Sequence, residues 1–153
     1  IVESLVADNF EINKTGLKIV CNLFEKKDFF DSHVKEFCDV ADPILKLVQK
    51  IYALPTDGDL ASSEVIAEIF KHVSQIIEHG GKLFKNKLTP FVDLLYLRWS
   101  ADLAPIYPEE KSTIEGMLLD FCEIMPNKLL EDSSRVKKII EVVCCSLAPE
   151  SIE

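Results

Sequence analysis

Residues 62–81 read Ser62-Ser63-Glu64-Val65-Ile66-Ala67-Glu68-Ile69-Phe70-Lys71-His72-Val73-Ser74-Gln75-Ile76-Ile77-Glu78-His79-Gly80-Gly81. Val65, Ile66, Ile69, Phe70, Val73, Ile76 and Ile77 recur at the three-to-four-residue spacing of one helix face. A serine opens the stretch and Gly80-Gly81 closes it. Glu64 near the start and His79 near the end both suit the helix dipole. The stretch therefore predicts a long amphipathic helix that buries one side.

The same pattern extends in both directions. Upstream, Val2, Leu5, Val6 and Phe10 read as the tail of an incomplete helix. Leu17, Val20, Cys21 and Phe24 follow on a helix that Thr15 is placed to cap, and Phe30, Val34, Phe37, Cys38 and Ala41 on one starting at Asp28 or Asp31. Asp42-Pro43 opens a helix to about Leu54, because proline costs nothing in a first turn. Pro55-Thr56-Asp57-Gly58-Asp59 is the clearest turn. Downstream, Thr89-Pro90, Pro108-Glu109-Glu110 and Asp132-Ser133-Ser134 open three further helices, closed by Pro105, Pro126-Asn127 and Pro149. The fold class is all-α.

Corresponding helices recur about every 45–47 residues, a period typical of two-helix repeat units. The expected architecture is a set of antiparallel helix pairs stacked as a right-handed α-solenoid. It comprises one helical-repeat segment over 1–153, with units 1–27 (partial), 28–55, 60–104 and 108–148. A closed bundle produces a similar hydrophobic pattern and stands as the alternative. Because the chain starts at Ile1 and stops after Ser151-Ile152-Glu153, a piece of a longer solenoid is expected.

Composition narrows the function classes. With 48% hydrophobic and 28% charged residues, the chain has enough apolar material for a folded core. A net charge of −9, from 26 acidic and 17 basic residues, disfavours a phosphate backbone and favours basic partners, although solubility alone also accounts for it. Cys21, Cys38, Cys122, Cys144 and Cys145 are odd in number and lie within apolar helical patterns, which points to reduced thiols in the cytoplasm or nucleus. No apolar run reaches the roughly 20 residues of a membrane span.

Chemistry-bearing motifs are sparse. His72 and His79 stand about 10 Å apart along one helix, too far for one zinc ion, and no phosphate loop or calcium loop is complete. The expectation is a non-enzymatic protein without cofactor or metal. Arg98 and Trp99 have the properties of interface anchors, and Arg98 stands one turn from Asp102. If successive second helices align, Lys46, Lys50, Arg98, Lys137 and Lys138 share a curved binding face. Lys82, Lys85 and Lys87 form a secondary basic patch around Leu83 and Phe84.

Pro126-Asn127-Lys128-Leu129-Leu130-Glu131-Asp132-Ser133-Ser134-Arg135-Val136-Lys137 resembles the inter-helix turn of the HEAT/armadillo-type repeat family, with Lys137 where that family prefers arginine. The resemblance implies a protein-interaction scaffold. Irregular repeats, acidic charge and helical cysteines make the chain similar to a segment of an importin/exportin-type nuclear transport receptor. Its implied partners are a basic or structured cargo, a small GTPase and phenylalanine-glycine nucleoporin segments. A compact helical adaptor or regulatory domain binding a partner helix is the competing expectation. So is a scaffold subunit of a chromatin, phosphatase or translation complex.

Overall fold

One-sided apolar patterning is satisfied only when helices cover one another's faces. The computed structural model describes residues 2–53, 60–80, 84, 87–101, 105–124, 131 and 133–147. Its helices are α1 (Val2–Val6), α2 (Phe10–Phe24), α3 (Lys27–Ser32), α4 (Val34–Cys38), α5 (Ala41–Tyr52), α6 (Leu60–Gly80), α7 (Leu88–Ser100), α8 (Glu110–Ile124) and α9 (Ser133–Leu147). No strand occurs among the described residues. The turns at Pro55–Asp59 and Pro126-Asn127, with Asp132, Gly81 and Pro149, lie outside them.

The apolar face of α6 is buried as its spacing predicts, with Ile66, Ile69, Phe70, Val73, Ile76 and Ile77 removed from solvent. Helix starts differ from the sequence reading. α2 begins at Phe10, where the Asn9 side chain accepts from the backbone N–H groups of Glu11 (2.9 Å) and Ile12 (3.2 Å). Thr15 is consequently inside the helix, its hydroxyl donating to the Glu11 carbonyl. The helix expected over 28–40 is broken at His33 into α3 and α4. Pro43 lies in the first turn of α5, as its missing N–H permits.

The expected HEAT/armadillo-like solenoid is not the fold. Stacked antiparallel pairs require α6 to lean mainly on α7, whereas its principal contacts are with α2 and α8. α5 packs on α1 and α7 rather than on the α3–α4 segment, and α3 leans on α2. The described residues form a compact, irregular all-α bundle around one hydrophobic core. The physical reason is that periodicity states which side of a helix is apolar and leaves open which neighbour covers it. The importin/exportin-type resemblance, which depended on the repeat, falls with it.

Two aromatic groups mark the centre. Phe70 stacks between Tyr52 (5.4 Å) and Tyr107 (5.5 Å), joining α5, α6 and the turn before α8. Phe84, Phe91 and Phe121 meet edge to face, with centroids 5.3–6.1 Å apart.

Candidate functional site

A cleft of about 490 Å³ opens at the amino-terminal end of the bundle, between α2 and the broken α3–α4 segment. Phe29, His33 and Phe37 recur at every fourth position, so all three face the same way across the break. The His33 ring stacks on Phe29 at 4.3 Å, and its Nδ1 lies 2.9 Å from the Phe29 carbonyl, to which it donates. Phe37 is buried between Phe24 (5.0 Å) and Phe29 (6.1 Å), and Val20 and Leu23 of α2 complete the apolar floor. Phe29 remains 40% exposed. Glu3, Glu36 and Asp39 stand on the rim and are exposed.

Large exposed apolar side chains are commoner on α1–α4 than elsewhere among the described residues, and of these Phe29 lines the cleft. Val6, Ile12, Ile19, Phe29 and Val34 all lie on α1–α4, against Leu97, Leu119 and Ile140 on the rest of the described chain. The sequence reading turned Phe30, Val34, Phe37, Cys38 and Ala41 inward, whereas Val34 and Cys38 are exposed, and it did not single out the Phe29/His33/Phe37 series. It did not reveal that the series stays open to solvent.

A second cleft, of about 510 Å³, separates α6 from α8 and is lined by mixed polar groups including Lys71, Gln75, Glu109 and Thr113. Between α2 and α6, Cys21 and His72 meet although 51 residues separate them. The Cys21 Sγ is 3.9 Å from the His72 Nδ1 and donates to the His72 carbonyl at 3.4 Å. Burial pushes the thiol up to about 11, with the Glu25 charge adding to it, and burial also lowers the His72 imidazole. A nucleophilic cysteine needs its thiol pKa lowered, the opposite of the shift at Cys21, and the contact joins α2 to α6. No group of three His, Cys, Asp or Glu side chains among the described residues is placed to hold a metal ion.

The basic residues singled out in the sequence are distributed differently. Arg98 turns inward. Its side chain is 7% exposed, and its Nε donates to Glu110, whose own side chain is 5% exposed. The guanidinium lies 5.6 Å from the Tyr52 ring centre. Trp99 is buried, with its indole N–H donating to Glu115 (3.0 Å) and the Lys111 ammonium 5.3 Å from its ring. Lys46 (3.1 Å) and Lys87 (3.3 Å) both pair with Asp42, and these cations, Lys46 first, hold its carboxyl below the ordinary carboxylate range. Lys50 pairs with Asp8 and lies over Phe10. Lys138 pairs with Asp93 (3.5 Å) and lies over Tyr96, while Lys137 is exposed. Arg98 is thus not brought onto an exposed face with the lysines. Asp102, Lys82 and Lys85 lie outside the described residues.

No helix among the described residues is long and apolar enough to cross a membrane. Comparison with protein-family models, with curated proteins and with solved structures finds no match for the chain.

Proposed function

We propose that the chain is a non-enzymatic protein-binding module that receives the apolar face of a partner helix between α2 and α3–α4. The observation carrying this reading is the aromatic floor of that cleft, with Phe29 only partly covered beside buried Phe37. A helix laid in such a groove presents anchors at i, i+3, i+4 and i+7, and each anchor removes apolar surface from water on both partners. The half-buried Cys21, whose thiol is pushed up to about 11, supports the non-enzymatic part, because this cysteine–histidine contact lacks the lowered pKa of a nucleophile. A reducing compartment, cytoplasm or nucleus, suits the free cysteines at 21, 38, 122, 144 and 145. Cargo and small-GTPase partners were implied only by the repeat-family resemblance, and the groove lends neither any particular support.

The test is amide resonance mapping with an amphipathic helical peptide of about 14 residues carrying leucines at that spacing. The expected result is chemical-shift change concentrated in α2, α3 and α4 and abolished by Phe29→Asp. Changes confined to other helices, or none up to about millimolar peptide, would overturn the proposal.

A further inference from the structure

We infer that the helix this groove accepts is cationic, with lysine or arginine flanking its apolar stripe. The inference rests on the reading of the groove as a helix-docking site and adds the chemistry of the occupant. Three carboxylates, Glu3, Glu36 and Asp39, approach the groove from α1, α4 and the turn after α4, and no lysine or arginine is among its described lining residues. Apolar floor and acidic rim together fit an amphipathic helix better than either feature alone. Leucine-like anchors fill the aromatic floor, while lysine or arginine stems run over its edge and bring their charges to the carboxylates. The chain's net charge of −9 adds long-range attraction for such a partner. The same charge opposes a second copy of this chain and an anionic lipid surface, which are therefore the disfavoured occupants.

Three labelled peptides with one common apolar stripe and flanking lysines, glutamines or glutamates separate these possibilities. Their affinities are measured by fluorescence anisotropy at low and high salt, for the unaltered chain and for the triple variant Glu3→Gln/Glu36→Gln/Asp39→Asn. The rim side chains are exposed, so the variant keeps its helical circular dichroism. The lysine peptide is expected to bind roughly tenfold more tightly than the glutamine peptide, with the advantage lost in the triple variant and reduced by salt. Equal affinity of the three peptides, or a lysine advantage that survives in the triple variant, overturns the cationic assignment and leaves the docking groove standing. Failure of every peptide to bind, or binding that persists in Phe29→Asp, overturns the groove itself. Concentration-dependent dimerisation abolished by Phe29→Asp identifies a second copy as the occupant and likewise overturns the inference.

Discussion

Asn13 is fully buried in the first turn of α2, and its side-chain amide donates to the carbonyls of Ser4 (2.7 Å), Leu5 (3.2 Å) and Ala7 (3.1 Å). These carbonyls belong to the end of α1, where a helix lacks internal donors, so one side chain closes α1 and fastens it to α2. Asn13→Ala removes these donations and is expected to lower unfolding stability by about 1–3 kcal/mol, read from urea denaturation. One turn further, Gly16 lets α1 approach closely. A Cβ there would lie 2.2 Å from the Ser4 hydroxyl oxygen and 3.1 Å from its Cβ. In a free helix Gly→Ala gains about 1 kcal/mol. Here Gly16→Ala is expected to show no such gain by thermal unfolding, and Gly16→Val to cost roughly 1–3 kcal/mol through displaced packing. Neither role is visible locally, since a polar residue and a glycine inside a helical stretch carry no mark of the helix they face. Asn9 and Thr15 are both ordinary caps by residue type, and the chosen one depends on where α1 ends.

At the scale of elements, the joint between α7 and α8 rests on the buried Arg98–Glu110 pair. Glu110 Oε2 also accepts the Ile106 N–H at 2.6 Å, so the same carboxylate orders the turn that enters α8. Glu110→Ala removes the carboxylate that meets both the buried Arg98 guanidinium and the Ile106 N–H, and is expected to cost about 3–5 kcal/mol. The double substitution Arg98→Met/Glu110→Leu is expected to recover most of that loss. A double-mutant cycle in urea measures both, and additive single costs would sink this account. The sequence suggested Asp102 as a partner because it stands one turn away, and Asp102 lies outside the described residues. Glu110 lies 12 residues on, beyond the turn, where no helical spacing rule reaches. Two side-chain contacts, Asp93–Lys138 and Tyr96–Glu141, join residues 45 apart on α7 and α9, but the spacing read from the sequence is not carried into the helix packing. It does not impose regular helix pairing, because α6 covers α2 and α8 while α1 occupies the space between α2 and α5.

Over the whole molecule, burial raises the pKa of Tyr52 and Tyr107 well above their ordinary value of 10.0, and that of Cys21 from 9.0 to about 11. The Tyr52 hydroxyl has no hydrogen-bond partner among the described residues, and at Tyr107 the nearby Thr113 hydroxyl offsets only part of the effect of burial. An acid whose folded pKa is raised favours folding fully below its unfolded pKa and loses that contribution as pH rises towards the folded one. Stability is therefore expected to be flat in these groups at neutral pH and to fall from about pH 9 upward, first through Cys21 and then through the tyrosines. Denaturant midpoints and tyrosinate absorbance followed together between neutral and strongly alkaline pH check this. Because Tyr96 is at the surface, the measurement uses the Tyr96→Phe variant, in which tyrosinate appearing with the native fold intact near pH 10 would contradict it.

The sequence by itself determined that the chain is all-α and which residues of α2, α5 and α6 turn inward, because a helix repeats every 3.6 residues and apolar side chains leave water together. Tertiary structure alone decided that α6 covers α2 and α8, that Arg98 meets Glu110 and Cys21 meets His72, and that the Phe29 face remains partly open. The physical reason is that hydrophobic burial is non-directional. It sets how much apolar surface each helix must hide, and the choice of partner falls to shape, close approach and buried polar contacts between residues far apart in the chain.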